Sequence, residues 1–464
     1  MRFQSTRGQA PELGFDDVLL TGLARDGGLY LPVTWPERSA EEWRAMRELS
    51  YADLATAVTQ PFLAGSTIEA DLPEIMKEAY SPFDHPAVAP MVQLGANTWL
   101  MELYHGPTLA FKDYALQVVG HLFDRVLSAK KERITIVGAT SGDTGSAAIA
   151  ACAGREAVDI IIMHPKGRVS EVQRRQMTTV DASNVHNVAI DGTFDDCQAL
   201  VKSMFNDQTF RDELHLSAVN SINWARIMCQ TVYYAYAALA LGGPDRPVAF
   251  AVPTGNFGNA FAGYCASRMG LPIASFLVGS NRNDILTRYF KTGEMTIEGV
   301  QPSLSPAMDI QISSNFERLL FEAYGRDGNA VTRLMDGLHQ SGRYTVEPAP
   351  REAIASQFTG SRLCDEQTKA FIRSTYEKTG QLIDPHTAVG VHAAQNSDLD
   401  QAIPKVILST AHPAKFPDAV ESAVGIRPEL PPTLAGLYDL QEQYDELPNN
   451  LKQVQDYVRA HSRV

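Results

Sequence analysis

The sequence predicts an α/β protein with largely parallel sheets covered by helices on both faces. Apolar runs such as VDIIIMHP (158–165) are continuous rather than alternating, the pattern of strands buried on both sides. Helical stretches separate these runs, as parallel connections require. Most runs end near Gly, Ser or Thr, at the carboxyl ends of strands where such sheets bind ligands. The 464 residues accommodate two or three domains.

In chain order, residues 1–92 are rich in Pro and Glu and predict short helices and turns, a mainly helical N-terminal domain. Helical patterning covers Ser39–Thr59, and Pro82, Pro86 and Pro90 mark a connection. RITIVGAT (133–140) predicts a strand, Thr144–Ala153 a helix, 158–165 a second strand and Ser170–Met177 a second helix. NVHNVAI (184–190) is a third strand, followed by a helix from Asp195. PVAFAVP (247–253), IASFLVGS (273–280) and KVILST (405–410) are further strands. Ile227–Gly243 is uncharged but holds Gln230 and three tyrosines. It falls short of the roughly 20 apolar residues of a membrane span and predicts a buried helix.

Bulk composition narrows the function. Hydrophobic residues make up 44 % of the chain, enough for a sizeable core. Lys+Arg number 40 against 54 Asp+Glu, a formal charge of -14 that argues against nucleic acid or an anionic membrane as the main partner. Five cysteines are scattered without metal or redox spacing, which suits a reducing compartment and predicts no metal site. The start, MRFQSTRGQAPELGFDD, lacks the apolar core of a signal peptide, so the expected location is the cytoplasm.

Chemistry concentrates in the loops. HGPTLAFKD (105–113) sets Lys112 behind Leu109, Ala110 and Phe111. Either the lysine snorkels to water from a helix start, or it is desolvated, its ammonium disfavoured and its amine able to form a Schiff base. ATSGDTGSAA (139–148) leads from a strand into a helix whose N-terminus suits a carboxylate or phosphate; it also reads as a plain capping turn with Ser141 or Asp143 as cap. PTGNFGNA (253–260) is either a concave anion nest of backbone N–H groups or a tight strand-to-helix turn. In STAHPAKF (409–416), Ser409 and Thr410 end a buried strand, where their hydroxyls face the same crevice or satisfy nearby backbone. Pyridoxal phosphate needs a lysine, a phosphate nest and a partner for its ring nitrogen, and the chain offers all three.

With these blocks in order, together with STRG (5–8), RDGGLYLP (25–32) and SPAMDIQISSNFERLL (305–320), the chain resembles the threonine synthases, pyridoxal-phosphate enzymes of fold type II, almost end to end. It is most similar to their longer form with an added N-terminal domain. SPAMDI departs from the more usual SPSMDI by one small residue. The resemblance implies a tryptophan-synthase-β-like pair of domains: 93–112 with 215–464 as the large cofactor-binding domain, 113–214 as the small one and 1–92 as the N-terminal domain. It implies conversion of O-phospho-L-homoserine and water to L-threonine and phosphate. Lys112 matches the family's cofactor-bearing lysine, whose freed amine would shuttle protons. Gly255, Asn256, Phe257, Gly258 and Asn259 match the cofactor-phosphate loop, and Thr410 the hydroxyl beside the ring nitrogen. Ser141, Gly142, Asp143 and Thr144 resemble the loop that holds the substrate's carboxylate and phosphate, and Asn223 and Arg226 resemble substrate-phosphate contacts. Arg7, Arg282 and Lys415 are further basic candidates for that phosphate. A monomer or dimer is expected.

Other readings share parts of this pattern. A phospho-lyase of the same family would release phosphate but yield 2-oxobutyrate with the same lysine and nests. A serine/threonine dehydratase lacks the need for a second phosphate site. A non-catalytic metabolite-binding paralogue fits poorly with an intact Lys112, Gly255–Asn259 and Thr410. The missing dinucleotide fingerprint disfavours a nicotinamide dehydrogenase.

Overall fold

A computed structural model describes residues 1–464. The chain opens with an antiparallel ribbon, β1 (Phe3–Ser5) with β2 (Tyr30–Pro32), set among short helices. The helical stretch expected over 39–59 is two helices, Ala40–Ala45 and Tyr51–Thr59. The break follows from capping. Ser50 accepts a hydrogen bond from the Asp53 N–H, so the chain starts a new helix there instead of continuing the old one.

The first sheet gathers β3 (Met91–Gly95), β4 (Thr98–Glu102), β9 (Val248–Pro253), β10 (Ile273–Ser280), β13 (Phe358–Arg362) and β14 (Lys405–Ser409) in the order β13-β10-β9-β14-β4-β3. All its pairings are parallel except the hairpin of β3 with β4. The second sheet is wholly parallel, in the order β15-β7-β6-β5-β8. Its strands are β5 (Ile134–Ala139), β6 (Val158–Pro165), β7 (Val185–Asp191), β8 (Leu216–Ser217) and β15 (Asp445–Pro448). A second ribbon, β11 (Glu294–Thr296) with β12 (Arg343–Thr345), lies outside both. Every strand expected from a continuous apolar run is present. Mixed α/β layers with parallel sheets are therefore the architecture.

Helix Lys112–Lys130 joins the two halves. It packs on helix Asp143–Cys152 of the second sheet and on the buried helix Trp224–Ala240. The N-terminal region is part of the same core: the Trp224 ring meets Phe3, Trp35 and Phe62 at centroid distances of 5.9, 6.1 and 5.5 Å. The chain end departs from the expected partition, which leaves 445–464 with the first sheet. Here β15 pairs with β7, and Leu447, Val454 and Val458 pack on Val188 and Ile190 of the second sheet. The Arg463 guanidinium closes the segment on the buried Asp159 at 2.5 Å. DELP is too short and polar to announce a strand; only its partner makes it one.

Candidate active site

The loops after β4, β5, β9 and β14 carry the motifs. The turn before Lys112 is stitched antiparallel to the end of β14: Ala110 bridges Ala411, the Phe111 N–H donates to the Thr410 carbonyl at 2.9 Å, and the His412 N–H donates to the Leu109 carbonyl at 3.0 Å. Lys112 thus starts its helix beside Thr410. The buried Asp113 carboxylate fixes the turn by accepting from the Thr108 N–H (2.8 Å) and hydroxyl (2.6 Å). Gly106 lies so near that a Cβ there would stand 2.5 Å from that of Asp113.

Lys112 is only 8 % exposed. Its Nζ donates to Asp143 Oδ2 at 3.2 Å and lies 4.9 Å from the Phe111 ring centre. Burial depresses its basicity; Asp143 opposes this, and the positive Lys415 and Arg226 reinforce it. Burial also works against an ionised Asp143, but Lys112 and Lys415 together hold its carboxyl well below the usual carboxylate range. One carboxylate cannot neutralise two ammonium groups, and burial outweighs its help to Lys112.

Asp143 opens helix Asp143–Cys152. Before it, Gly142 adopts φ +142° and donates its N–H to Thr140 Oγ1 at 3.0 Å. Ser141 is exposed at the lip and Thr144 half-buried. Gln173 Nε2 donates to Asp143 Oδ1 at 2.8 Å, and Gln176, one turn on, donates to the Thr108 carbonyl at 3.1 Å. No local motif marks these glutamines; only their spacing on one helix face hints at a shared target.

The Gly255–Asn259 loop enters helix Gly258–Arg268, whose first N–H groups have no acceptor within the helix. Phe257 holds a left-handed φ of 62°, a strain kept by packing against Phe316 and Phe358. Segment 305–320 wraps the loop: Ser313 Oγ donates to the Gly255 carbonyl at 2.7 Å, and the Asn315 N–H to that of Asn256 at 3.1 Å. A Cβ at Gly255 would stand 3.1 Å from Ile310, and one at Gly258 3.1 Å from Asn315, so the cradle is built to glycine size. Asn259 Oδ1 accepts from the Tyr233 and Tyr234 hydroxyls at 2.7 and 2.8 Å, while its Nδ2 is buried without a partner.

Of the basic candidates, three are engaged by acids: Arg7 with Glu317 at 3.2 Å, Arg282 with Asp365 at 3.5 Å, and Lys415 with Asp143 at 2.9 Å. Arg226 has no acidic partner. It is 3 % exposed, its Nε and Nη1 are buried without acceptors, and burial pushes it down to about 10. Asn223 is placed differently. Its Oδ1 accepts from the Ala225 N–H at 3.0 Å and its Nδ2 donates to the Leu19 carbonyl at 2.8 Å, so it caps the helix that carries Arg226 and ties it to the N-terminal region.

A buried amine of weakened basicity, a glycine-sized cradle at a helix N-terminus, orphaned donors at Asn259 and Arg226, and Thr410 beside the lysine turn fit pyridoxal phosphate. The family model described as pyridoxal-phosphate dependent enzyme matches residues 84–349. Fold and site together define a pyridoxal-phosphate-dependent enzyme of fold type II. Models for the threonine synthase N terminus and C-terminal region match residues 2–80 and 387–458. A threonine synthase of Pseudomonas aeruginosa is 54 % identical over 462 residues, 99 % of this chain and 98 % of that relative, and one of Saccharomyces cerevisiae is 42 % identical over 97 % and 93 %. The crystal structure of a pyridoxal-phosphate-bound threonine synthase from Brucella melitensis superposes with a TM-score of 0.98 at 56 % identity, covering 100 % of both chains. The chain belongs to the threonine synthase family.

Proposed function

We propose that this enzyme converts O-phospho-L-homoserine and water to L-threonine and phosphate, the closing step of threonine biosynthesis. The observation that carries the reading is Arg226, a buried guanidinium with two unpartnered donors and no carboxylate beside it. A buried charge without a counter-ion costs several kcal/mol, and an anionic group of the substrate removes that cost.

Lys112 would hold the cofactor, with its phosphate on the Gly255–Asn259 cradle and its ring nitrogen facing the Thr410 hydroxyl. When bound, pyridoxal phosphate supplies an electron sink beside the substrate's reacting carbons. The chain's own groups do the rest. The backbone of the Ser141–Thr144 loop receives the substrate carboxylate at a helix start, while the Asp143 side chain, counted with that loop in the sequence, stays bound to the two lysines. Lys112, once freed, takes and returns protons with an amine whose basicity burial lowers. Arg226 holds the substrate phosphate and stabilises it as it leaves. Asn223 acts behind it, by capping its helix. We place the enzyme in the cytoplasm, in keeping with its five unpaired thiols, and as a monomer or dimer without nucleic-acid partners, in keeping with its net charge of -14. No helix is long and apolar enough to cross a membrane.

Incubating the pure protein with pyridoxal phosphate and O-phospho-L-homoserine should release threonine and phosphate in equal amounts. Equimolar 2-oxobutyrate instead of threonine would make it a phospho-lyase. Arg226→Gln should raise the substrate KM by about 10- to 100-fold, the worth of a hydrogen bond to a charged group. An unchanged KM removes Arg226 from the phosphate site.

A further inference from the structure

We infer that Lys415 is a positioning residue for Lys112: it pins the Asp143 carboxylate to the lysine-bearing turn and shares its charge, so that Lys112 never has that carboxylate to itself. This rests on the reading of Lys112 as the lysine that carries the cofactor.

Lys415 ends the short turn Pro413–Lys415 that follows β14, and it is 0 % exposed. Its Nζ stands 2.9 Å from Asp143 Oδ1 and donates to the Thr108 carbonyl at 2.6 Å. Lys112 Nζ takes the other oxygen, Oδ2, at 3.2 Å. One carboxylate therefore bridges two ammonium groups from different loops. An enclosed Lys415 with these contacts is badly placed to meet a substrate phosphate, the role its sequence context suggested. Its place is structural and electrostatic at once. It joins the end of β14 in the first sheet, the helix start after β5 in the second, and the turn that delivers Lys112.

The groups around the pair are few. Helix Glu171–Thr178 offers the uncharged Gln173 and Gln176. Helix Trp224–Ala240 offers the cation Arg226. The lysine turn offers Asp113, which is bonded to Thr108. His412, just before Lys415, is pushed down to about 4 by burial and is neutral near pH 7. No second carboxylate touches either lysine. Removing the charge of Lys415 leaves Asp143 with Lys112 as its one ammonium partner and removes a nearby positive charge. Both changes favour the protonated nitrogen at Lys112, so that nitrogen should keep its proton to higher pH.

The test is a spectrophotometric pH titration of the holoenzyme, following the visible absorbance of the cofactor bound through Lys112. Lys415→Met should move the titration midpoint upward by about one pH unit or more, the size of a close charge–charge effect. Lys415→Arg keeps the charge and should return the midpoint toward wild type. A brace without electrostatic effect would lower the melting temperature of Lys415→Met and leave its midpoint in place; that result overturns the inference. If Lys415→Met does not fold, Asp143→Asn reads the same triad: the midpoint should fall, and an unmoved midpoint again overturns it. A wild-type protein without any Lys112-dependent visible band, checked against Lys112→Ala, would instead sink the cofactor reading.

Discussion

Gly142 shows how far one residue can constrain the site. At φ +142° the backbone is in a region that L-residues rarely adopt. A Cβ there would also come within 2.5 Å of Gln173 Cδ, on the amide that holds Asp143. Gly142→Ala therefore does two things at once. It strains the loop, at about 1–3 kcal/mol, and it pushes Gln173 off the Asp143 carboxylate. The expected outcome is a kcat/KM lowered by about tenfold or more, equivalent to ~1.4 kcal/mol. Gln173→Ala, which removes the amide but leaves the backbone relaxed, should cost less. Steady-state kinetics of the two variants decide the matter; equal losses would mean that the backbone conformation contributes nothing.

The elements that carry the two central charges approach each other closely at Gly120. Helices Lys112–Lys130 and Asp143–Cys152 cross where Gly120 faces Ala151, and a Cβ on Gly120 would stand 2.3 Å from the Ala151 carbonyl oxygen. Backbone cannot swing aside as a side chain can, so Gly120→Ala must push the helices apart. Overpacking of this kind costs about 1–3 kcal/mol, and here the same shift separates Lys112 from Asp143. A lower melting temperature together with a displaced visible absorption band is the expected result; a stability loss with an unaltered band would show that the site tolerates the movement. Such crossings are invisible in a sequence, where Gly120 is one glycine in a helical pattern. The strands β5, β6, β9, β10 and β14 were legible because burial on both faces writes them as nearly continuous apolar runs, and β7 through its buried Val-Ala-Ile stretch. β3, β8 and β15 lie at sheet edges, are short or polar, and become strands only through their partners. The site divides the same way. Lys112, the Gly255–Asn259 loop and Thr410 stand in local motifs that a reader can see. The bridge from Asp143 to Lys415 joins two loops of different sheets, and nothing near either residue announces it. Asn223 reads like a ligand contact in NSINWAR, yet its polar atoms meet the next turn of helix and the N-terminal region.

Across the whole molecule, the same burial that weakens the hold of Lys112 on its proton lowers five histidines, His121, His164, His186, His392 and His412, and the two pushed down furthest make the fold sensitive to acid. His121, on helix Lys112–Lys130, lies between Glu78 of helix Leu72–Tyr80 at 3.0 Å and Arg155 at 3.2 Å. Burial, then the Arg155 charge, pushes it down to about 4, and burial does the same to His412 beside Tyr104. In the unfolded chain both return to about 6.5. Between those values the unfolded state binds more protons, so stability rises with pH across the window. It is fully present above about 6.5 and is lost as pH falls toward 4, by on the order of 2 kcal/mol for each histidine after allowance for solvent screening. His105 works in the opposite sense: burial opposes its proton, but Glu102 and Asp84 outweigh burial and raise it, so its contribution is present at low pH and fades as pH rises. A variant isolates the effect. Denaturation in urea at pH 7.5, 6 and 5 should give a falling free energy of unfolding for the wild type. His121→Gln, which can still reach Glu78 or Arg155 but carries no proton to gain, should fall less steeply over the same range. Parallel curves for the two proteins would mean that His121 is not kept neutral between Glu78 and Arg155, and that acid opens the molecule elsewhere.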